Sequence, residues 1–288
     1  MVYRFDELSA EKFKKLIDPD LFADMNRAFY RGIASTDDQG DVNGALVLEL
    51  KNTEQEKDNA GRILQVKVND HEAAGRLLAE YASLAQEEQV KQSFYEFPKK
   101  EDAVILTDAG FSMEEGEGPD RIVRVSDLTG LPVVGKTRLP ENIGCIDELE
   151  KRKFRKGILN CLVHNRKGLL EDLAYLPMDW YEREVSSYTV LDDNVVGLFL
   201  VHRTVSGTLQ VKLLFASGPD SQKNLLYMIV NSIKRAGDLY PPDTRVTIRC
   251  ESDAATALAN RLFPNVRGLN AVWGDRQEGL GTGRQGGF

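Results

Sequence analysis

Apolar residues recur along this chain with two distinct periods, and the two periods divide it into strands and helices. Alternating or β-branched runs predict strands at 44–50 (GALVLEL), 63–68 (ILQVKV), 121–125 (RIVRV), 195–201 (VVGLFLV), 209–216 (LQVKLLFA) and 245–250 (RVTIRC). Apolar positions at steps of three and four predict helices over 9–31, 72–92, 99–109, 147–164, 223–236 and 253–262. Strands and helices that alternate in this way imply an α/β (α+β) protein.

The order of these elements repeats. In each half an acidic or Asn-containing turn (40–43; 192–194) leads into a Gly-led apolar strand, GALVLEL or GLFLVHR. A connection follows, then LQVKV at Leu64 or LQVKL at Leu209. A polar loop, a long amphipathic helix, a further strand (SFYEF; RVTIRC), an Ala-rich helix and a closing strand come next. The repeat predicts two related halves, 1–128 and 141–274, joined by a linker at 129–140 that holds Pro132 and Pro140. Five glycines in the last ten residues predict a flexible tail over 275–288.

Composition narrows the class. With 288 residues, 42% of them hydrophobic and 28% charged, the chain has room for two cores and is not a disordered or fibrous protein. No apolar block is long enough to cross a bilayer and the opening MVYRFDELSAEKFKK has no leader-like core, so a cytoplasmic location is expected. Three cysteines, Cys145, Cys161 and Cys250, are too scattered for a disulfide framework. His71, His164 and His202 have no partner at a metal-ligand spacing, and no metal is expected.

The net charge of −8 is uneven: residues 1–128 hold 16 Lys/Arg against 27 Asp/Glu, or −11, which leaves 21 against 18, or +3, for the remainder. An acidic chain of this kind is a poor ligand for long nucleic acid, whereas its more basic half suits a small polyanion.

Helix, KEDAVILTDAGF, acidic turn and RIVRVSDL together resemble the last third of a GNAT-superfamily N-acetyltransferase domain, in which a helix ends in Gly-Phe (here Gly110 and Phe111) before a closing hairpin. In the second half SSYTVLDDNVVGLFLVHR is similar to the family's central hairpin, with Val196 and Gly197 after the turn. The string LQVKLLFASGPDSQKNLLYMIV falls where the family has its cofactor strand, loop and helix. The resemblance covers about residues 3–128 and 141–274. It implies two tandem GNAT-like folds, each a mixed, mostly antiparallel sheet flanked by helices.

The resemblance also implies acetyl-CoA, or another acyl-CoA, as cofactor and a small amine as acceptor. The family's phosphate-holding signature is degenerate in both halves. EAAGRL keeps only Gly75, with Asp70 and Glu72 at the helix start, where carboxylates suit capping and oppose a pyrophosphate. The second half is the better candidate: Leu214, Phe215 and Ala216 along the strand, then Gly218, Ser221, Gln222, Lys223 and Asn224 at the turn into the helix.

The family's phenolic acid, five residues before the Phe, is replaced by Leu106, and ANRLF in the second half has no Tyr either. Glu251, at the end of a strand, is the carboxylate best placed as general base. Residues 172–184, with Tyr175, Trp180, Tyr181 and several acids, are expected either to border the acceptor cleft or to pack as an amphipathic helix. A non-catalytic tandem module that binds a ligand or partner is the alternative. A remote third reading is a P-loop NTPase, because 130–137 (GLPVVGKT) fits the phosphate-loop pattern, although Pro132 and Pro140 oppose it.

Overall fold

The structure is a computed structural model, and it describes residues 1–6, 9–25, 29–51, 59–96, 102–117, 120–164, 176–248, 253–268 and 270–277. In chain order its strands are β1 (Val2–Phe5), β2 (Tyr30–Thr36), β3 (Val42–Lys51), β4 (Asn59–Val68), β5 (Val90–Glu96), β6 (Ser112–Glu117), β7 (Arg121–Arg124), β8 (Ile143–Cys145), β9 (Ser187–Leu191), β10 (Asn194–Arg203), β11 (Leu209–Ala216), β12 (Arg245–Ile248) and β13 (Asn270–Gln277). The helices are α1 (Pro19–Ala23), α2 (His71–Glu87), α3 (Asp102–Asp108), α4 (Val125–Thr129), α5 (Pro132–Lys136), α6 (Lys151–His164), α7 (Ser221–Leu239) and α8 (Asp253–Leu262). A seven-stranded sheet runs β1-β2-β3-β4-β5-β13-β6, and a six-stranded sheet runs β7-β12-β11-β10-β9-β8. The expected mixed sheets flanked by helices are therefore present, with β4 parallel to β5 and β11 parallel to β12.

The chain divides into two compact units, but not at the expected boundaries. One unit holds Met1–Gly116 together with β13, and the other holds Glu117–Leu269. The closing strands are exchanged. β7, from the first half of the sequence, pairs with β12 through Arg245↔Arg124 to Ile248↔Arg121. β13, from the end, pairs with β5 through Trp273↔Glu96 to Gln277↔Gln92. Residues 275–277 are thus strand and not tail, while 278–288 lie outside the described residues.

The expected linker is part of the second core: α5 occupies 132–136, with Leu128 and Val134 buried and Leu131 and Val133 packed against the same cluster. The helix expected over 9–31 is broken. Residues 10–16 form a 3₁₀ turn, the Asp18 carboxylate caps α1 by accepting from Asp20 N at 2.9 Å, Pro19 starts that helix, and Tyr30 already lies in β2.

The two central hairpins share one register. Gly44↔Val68 through Val47↔Gln65 pair in order, a bulge follows, and Leu48 pairs with Ile63, which leaves Leu64 unpaired. Gly197↔Ala216 through Leu200↔Leu213 pair likewise, the bulge falls at the same step, and Val201 pairs with Val211, so that Lys212 is the extra residue of the bulge. Strands β4 and β11 are therefore equivalent, yet the LQVK strings are not: Leu64 corresponds to Lys212, three residues beyond Leu209. Register is anchored by Gly44 and Gly197 instead. A Cβ on Gly44 would lie 3.0 Å from Leu77 of α2, and one on Gly197 would lie 2.9 Å from Met228 of α7, so in both units a glycine lets the long helix approach the sheet.

The central strands of each sheet are covered on both faces. In the first unit Leu46, Leu48, Ile63 and Val66 meet Leu77, Tyr81 and Leu84 of α2, and the other face carries Phe5, Phe13, Ile17, Ala45 and Val47. In the second, Phe199, Val201, Leu209 and Val246 meet Met228, Ile229 and Ile233 of α7, whereas Leu198, Leu200 and Leu213 meet Phe154 and Ile158 of α6.

The exchange predicts an asymmetric response to truncation. A chain ending at residue 269 should lose protection at the β5 amides by about tenfold or more in hydrogen exchange while β10 and β11 stay protected. Loss confined to β10–β12 would contradict the assignment of β13 to the first unit.

Candidate functional site

A bulge places two successive residues of one strand against one of its neighbour, which bends the strand and turns it from its other neighbour. In the first unit the β4·β5 pairing ends at Ile63↔Tyr95, while β4 continues against β3 to Val68. Among the described residues, 65–68 have their pairing with β3 alone. In the second unit the described β11·β12 pairs end at Val211↔Ile248, and residues 212–216 have their described pairing with β10 alone. An extended strand with one unpaired side can hydrogen-bond an extended ligand that carries amides of its own.

The first unit fills this opening with its own side chains. The Val66 amide donates to the Tyr95 hydroxyl at 3.3 Å, in a buried position. Leu106, at the place where the resemblance implies a phenol, is a core residue 1% exposed. At the start of α2 the Asp70 carboxylate accepts from Ala73 N at 2.6 Å and from Asn43 Nδ2 at 3.0 Å, and Asn43 Oδ1 accepts from Ser35 Oγ at 2.8 Å. A fixed carboxylate at the positive end of the helix takes the place an anionic ligand would need. Glu72 is paired with Arg76, and Gly75 stands in open space on α2.

The second unit is built differently at the same positions. Register makes Leu214 the equivalent of Val66 and Ile248 the equivalent of Tyr95, and Ile248 has no hydroxyl to offer. The loop from β11 to α7 turns at Gly218, whose φ of +88° favours glycine. Ser217 anchors the loop start, its N–H and Oγ both donating to the Val196 carbonyl at 2.8 and 3.2 Å.

Asp220 is the N-cap of α7 but makes no side-chain cap; its carboxylate meets Lys223 Nζ at 3.4 Å on the surface. Ser221 N donates to Gly218 O and Asn224 N to Asp220 O. Among the described residues the Gln222 and Lys223 amides have no acceptor, so two donors at the positive end of a 19-residue helix face outward.

The structure thus brings Leu214, Ala216, Gly218, Ser221, Gln222, Lys223 and Asn224 into one strand, loop and helix start. Leu214 and Ala216 lie on the α7 face. Phe215 does not join them: alternation along β11 turns it to the α6 face, where its ring lies 6.0 Å from that of His164. Glu251 lies outside the described residues, as do 172–175 of the aromatic segment. Of the rest of that segment, Tyr181 is buried in the core, and Trp180 stacks on His202 with ring centroids 3.7 Å apart and Lys212 Nζ 5.5 Å from the indole. That stack was not legible in the sequence, because 22 positions separate Trp180 from His202.

Two other chemistries lose their footing. The phosphate-loop pattern at 130–137 has the wrong context: it follows helix α4, Gly130 is that helix's C-cap, and Lys136 lies in the last turn of α5 rather than at a helix start. The two described cysteines are buried. Burial raises the Cys145 thiol above its ordinary pKa and pushes Cys161 up to about 12, so neither is a thiolate at neutral pH.

No family model matches this sequence, and no curated protein matches it. Solved structures do match it. A tandem GNAT protein from the clavulanic acid biosynthesis pathway superposes with a TM-score of 0.65 at 11% identity, over 98% of this chain and 99% of that one. The chain has the tandem GNAT fold. A GCN5-related glucosamine N-acetyltransferase region in a fungal multi-domain β-N-acetylglucosaminidase gives 0.62 at 10% identity, over 96% of this chain and 38% of that one. A GCN5-related N-acetyltransferase from Sphaerobacter thermophilus gives 0.55 at 13% identity, over 98% and 96%. Among the described residues no helix is long and apolar enough to cross a membrane.

The Tyr95 contact has a measurable consequence. Tyr95→Phe removes the acceptor from a buried amide in the first unit and should destabilise the protein by about 1–2 kcal/mol in urea unfolding. An unchanged midpoint would mean that the Val66 amide is satisfied without the hydroxyl.

Proposed function

We propose that this protein is an acyl-CoA-dependent N-acyltransferase that works in its second GNAT unit, taking acetyl-CoA or another acyl-CoA and a small amine. The observation that carries the reading is the contrast between equivalent positions. The first unit closes its opening with Tyr95 and Asp70, whereas the second leaves an uncapped α7 start beyond a one-sided β11. A pyrophosphate suits the Gln222 and Lys223 amides and the turn at Gly218, with Ser221, Asn224 and the Lys223 ammonium around it. The amides of a pantetheine arm suit the free edge of β11 from Leu214 to Ala216, as an added strand would.

When bound, acyl-CoA supplies an acyl carbon activated as a thioester. The residues of this chain have the remaining tasks: to hold the phosphates and the arm, to bring the amine lone pair to the open edge of β11, and to accept the proton the nitrogen loses as the C–N bond forms and the C–S bond breaks. Glu251 is the carboxylate we assign to that proton, directly or through water. The second reading, a non-catalytic tandem GNAT-fold binding module, draws support from one observation: the position five residues before Phe111 is the buried Leu106, and the matching position before Phe263 is Leu258, so neither helix offers a phenol as acid.

Isothermal titration should find one acetyl-CoA per chain. Lys223→Glu should weaken binding by about tenfold, since it reverses a charge at the helix start. Asp70→Ala should leave the affinity unchanged. Two sites per chain, or sensitivity to Asp70 in place of Lys223, would move the cofactor to the first unit. In free-thiol release with an amine panel, Glu251→Gln should lower kcat by about 100-fold with little change in cofactor affinity. No turnover with any amine, despite cofactor binding, would favour the binding module.

A further inference from the structure

Among the described residues, the second unit's sheet is not fully covered on the α6 side. Alternation sends Val123, Val246, Leu209 and Val211 to the α7 face, and so sends Ile122, Arg124, Arg245, Thr247 and Gln210 to the opposite one. Helix α6 covers that face over β10 and the far end of β11, where Leu198, Leu200, Leu213 and Phe215 belong to its cluster. No residue of β12 or β7 belongs to it among the described residues, and Ile122 is 40% exposed.

A row of directly opposed residues runs along this face, His202↔Gln210, Gln210↔Thr247 and Thr247↔Ile122; Trp180 covers it at the His202 end, and Ile122 at the other end is exposed. The next row on the same face is Arg245↔Arg124. Two exposed arginines directly across an antiparallel pair stand about 5 Å apart at Cβ and repel one another. Among the described residues neither guanidinium makes an ion pair or a side-chain hydrogen bond; the nearby Asp127 carboxylate is taken by the Arg124 backbone amide at 2.8 Å. A like-charge pair that costs stability and has no partner among the described residues fits a site that receives an anion.

The place of this pair relative to the opening gives it a role. The described β11·β12 pairs end at Val211, which pairs with Ile248, and Arg245 lies three residues back along β12. At about 3.3 Å per residue the arginines therefore sit ~10 Å from the mouth of the opening. They lie on the face opposite α7, so a molecule that reaches the opening from this side does not compete with a nucleotide held at the α7 start.

We propose that Arg124 and Arg245 hold the anionic end of the acceptor, which makes the acceptor an amine with a carboxylate or phosphate about 10 Å from its nitrogen. The proposal rests on the transferase reading of the second unit. The arginines act here as specificity determinants: they bind the far end of the acceptor and take no part in bond making.

The test uses the full chain, acetyl-CoA and three acceptors of similar reach: an ω-amino carboxylate, an ω-aminoalkyl phosphate and the neutral alkylamine. KM should be at least tenfold lower for one or both anionic acceptors than for the alkylamine, and the better of the two identifies the group. Arg124→Gln and Arg245→Gln should each raise that KM about fivefold, with kcat within twofold and the alkylamine unaffected. Thermal unfolding should show each variant as stable as the parent or slightly more so, because the like-charge contact is gone.

Equal KM values for anionic and neutral amines, or variants with unchanged KM, would overturn the proposal. If no amine is turned over, the proposal is still decided by titrating the ω-amino carboxylate and the aminoalkyl phosphate directly. Binding of either that weakens in both Gln variants supports the site and faults only the transferase reading. No binding, or binding indifferent to the two arginines, overturns it.

Discussion

A β-strand that leaves one neighbour while it keeps the other carries backbone amides that the ladder no longer satisfies, and those amides govern the rest of this structure. The bulges at Leu64 and Lys212 create that situation twice, in the same register. A buried amide without an acceptor costs more than a hydrogen bond returns, so each unit needs a partner for its opened strand. The first unit supplies one internally, the Tyr95 hydroxyl on the Val66 amide. The second carries Ile248 at the matching place, and among the described residues no side chain takes the part of that hydroxyl; on the proposed reading the strand edge is met by the cofactor. On the proposed reading one backbone geometry thus gives a closed unit and an open one, distinguished by the Tyr95 hydroxyl and the capping carboxylate of Asp70.

The exchanged closing strands tie these two outcomes to one molecule. β13 lies between β5 and β6 in the sheet order, next to the strand that carries Tyr95, and β7 borders β12, whose other neighbour is the open β11. Each unit therefore depends on a strand from the other half of the sequence for a complete sheet. A half that has closed its own opening still has a reason to persist: without residues 1–124 the open unit would lack β7, and β12 would become an edge with unpaired amides.

The sequence was most legible where local chemistry and packing agree. The hairpins β3·β4 and β10·β11 are apolar on both faces because helices cover both, and they read as long apolar runs. The 253–262 helix matches its prediction at both ends. Legibility failed where the deciding contact is distant. Identical LQVK strings suggested an alignment three residues out, because alternation constrains polarity and not residue identity, while the register is set by Gly44 and Gly197 beneath their helices.

The strand signal of RIVRV was correct, but nothing local states which sheet a strand joins. The 9–31 helix ignored the break that Asp18 and Pro19 write into it. At the candidate site, the turn from β11 into α7 was legible from loop composition. The plug at Tyr95 was not, since SFYEF reads as an ordinary strand until the end of the β4·β5 ladder is known.

The charge difference between the halves takes on meaning once the units are defined. Summed charge sets the approach of a ligand over about a Debye length, but binding depends on which groups remain unpaired at close range. Surface pairs such as Arg4 with Glu80 and Glu87, or Lys153 with Asp193, spend their charges on one another. The Arg124–Arg245 row does not, and the Gln222 and Lys223 amides add the positive end of α7 on the other face. On the proposed reading, anion-binding capacity is therefore concentrated on two faces of one sheet, beside β11. A thioester bearing a pyrophosphate and an amine bearing its own anion would then approach from opposite sides, each steered by its distal charge, and their reacting ends would meet at β11.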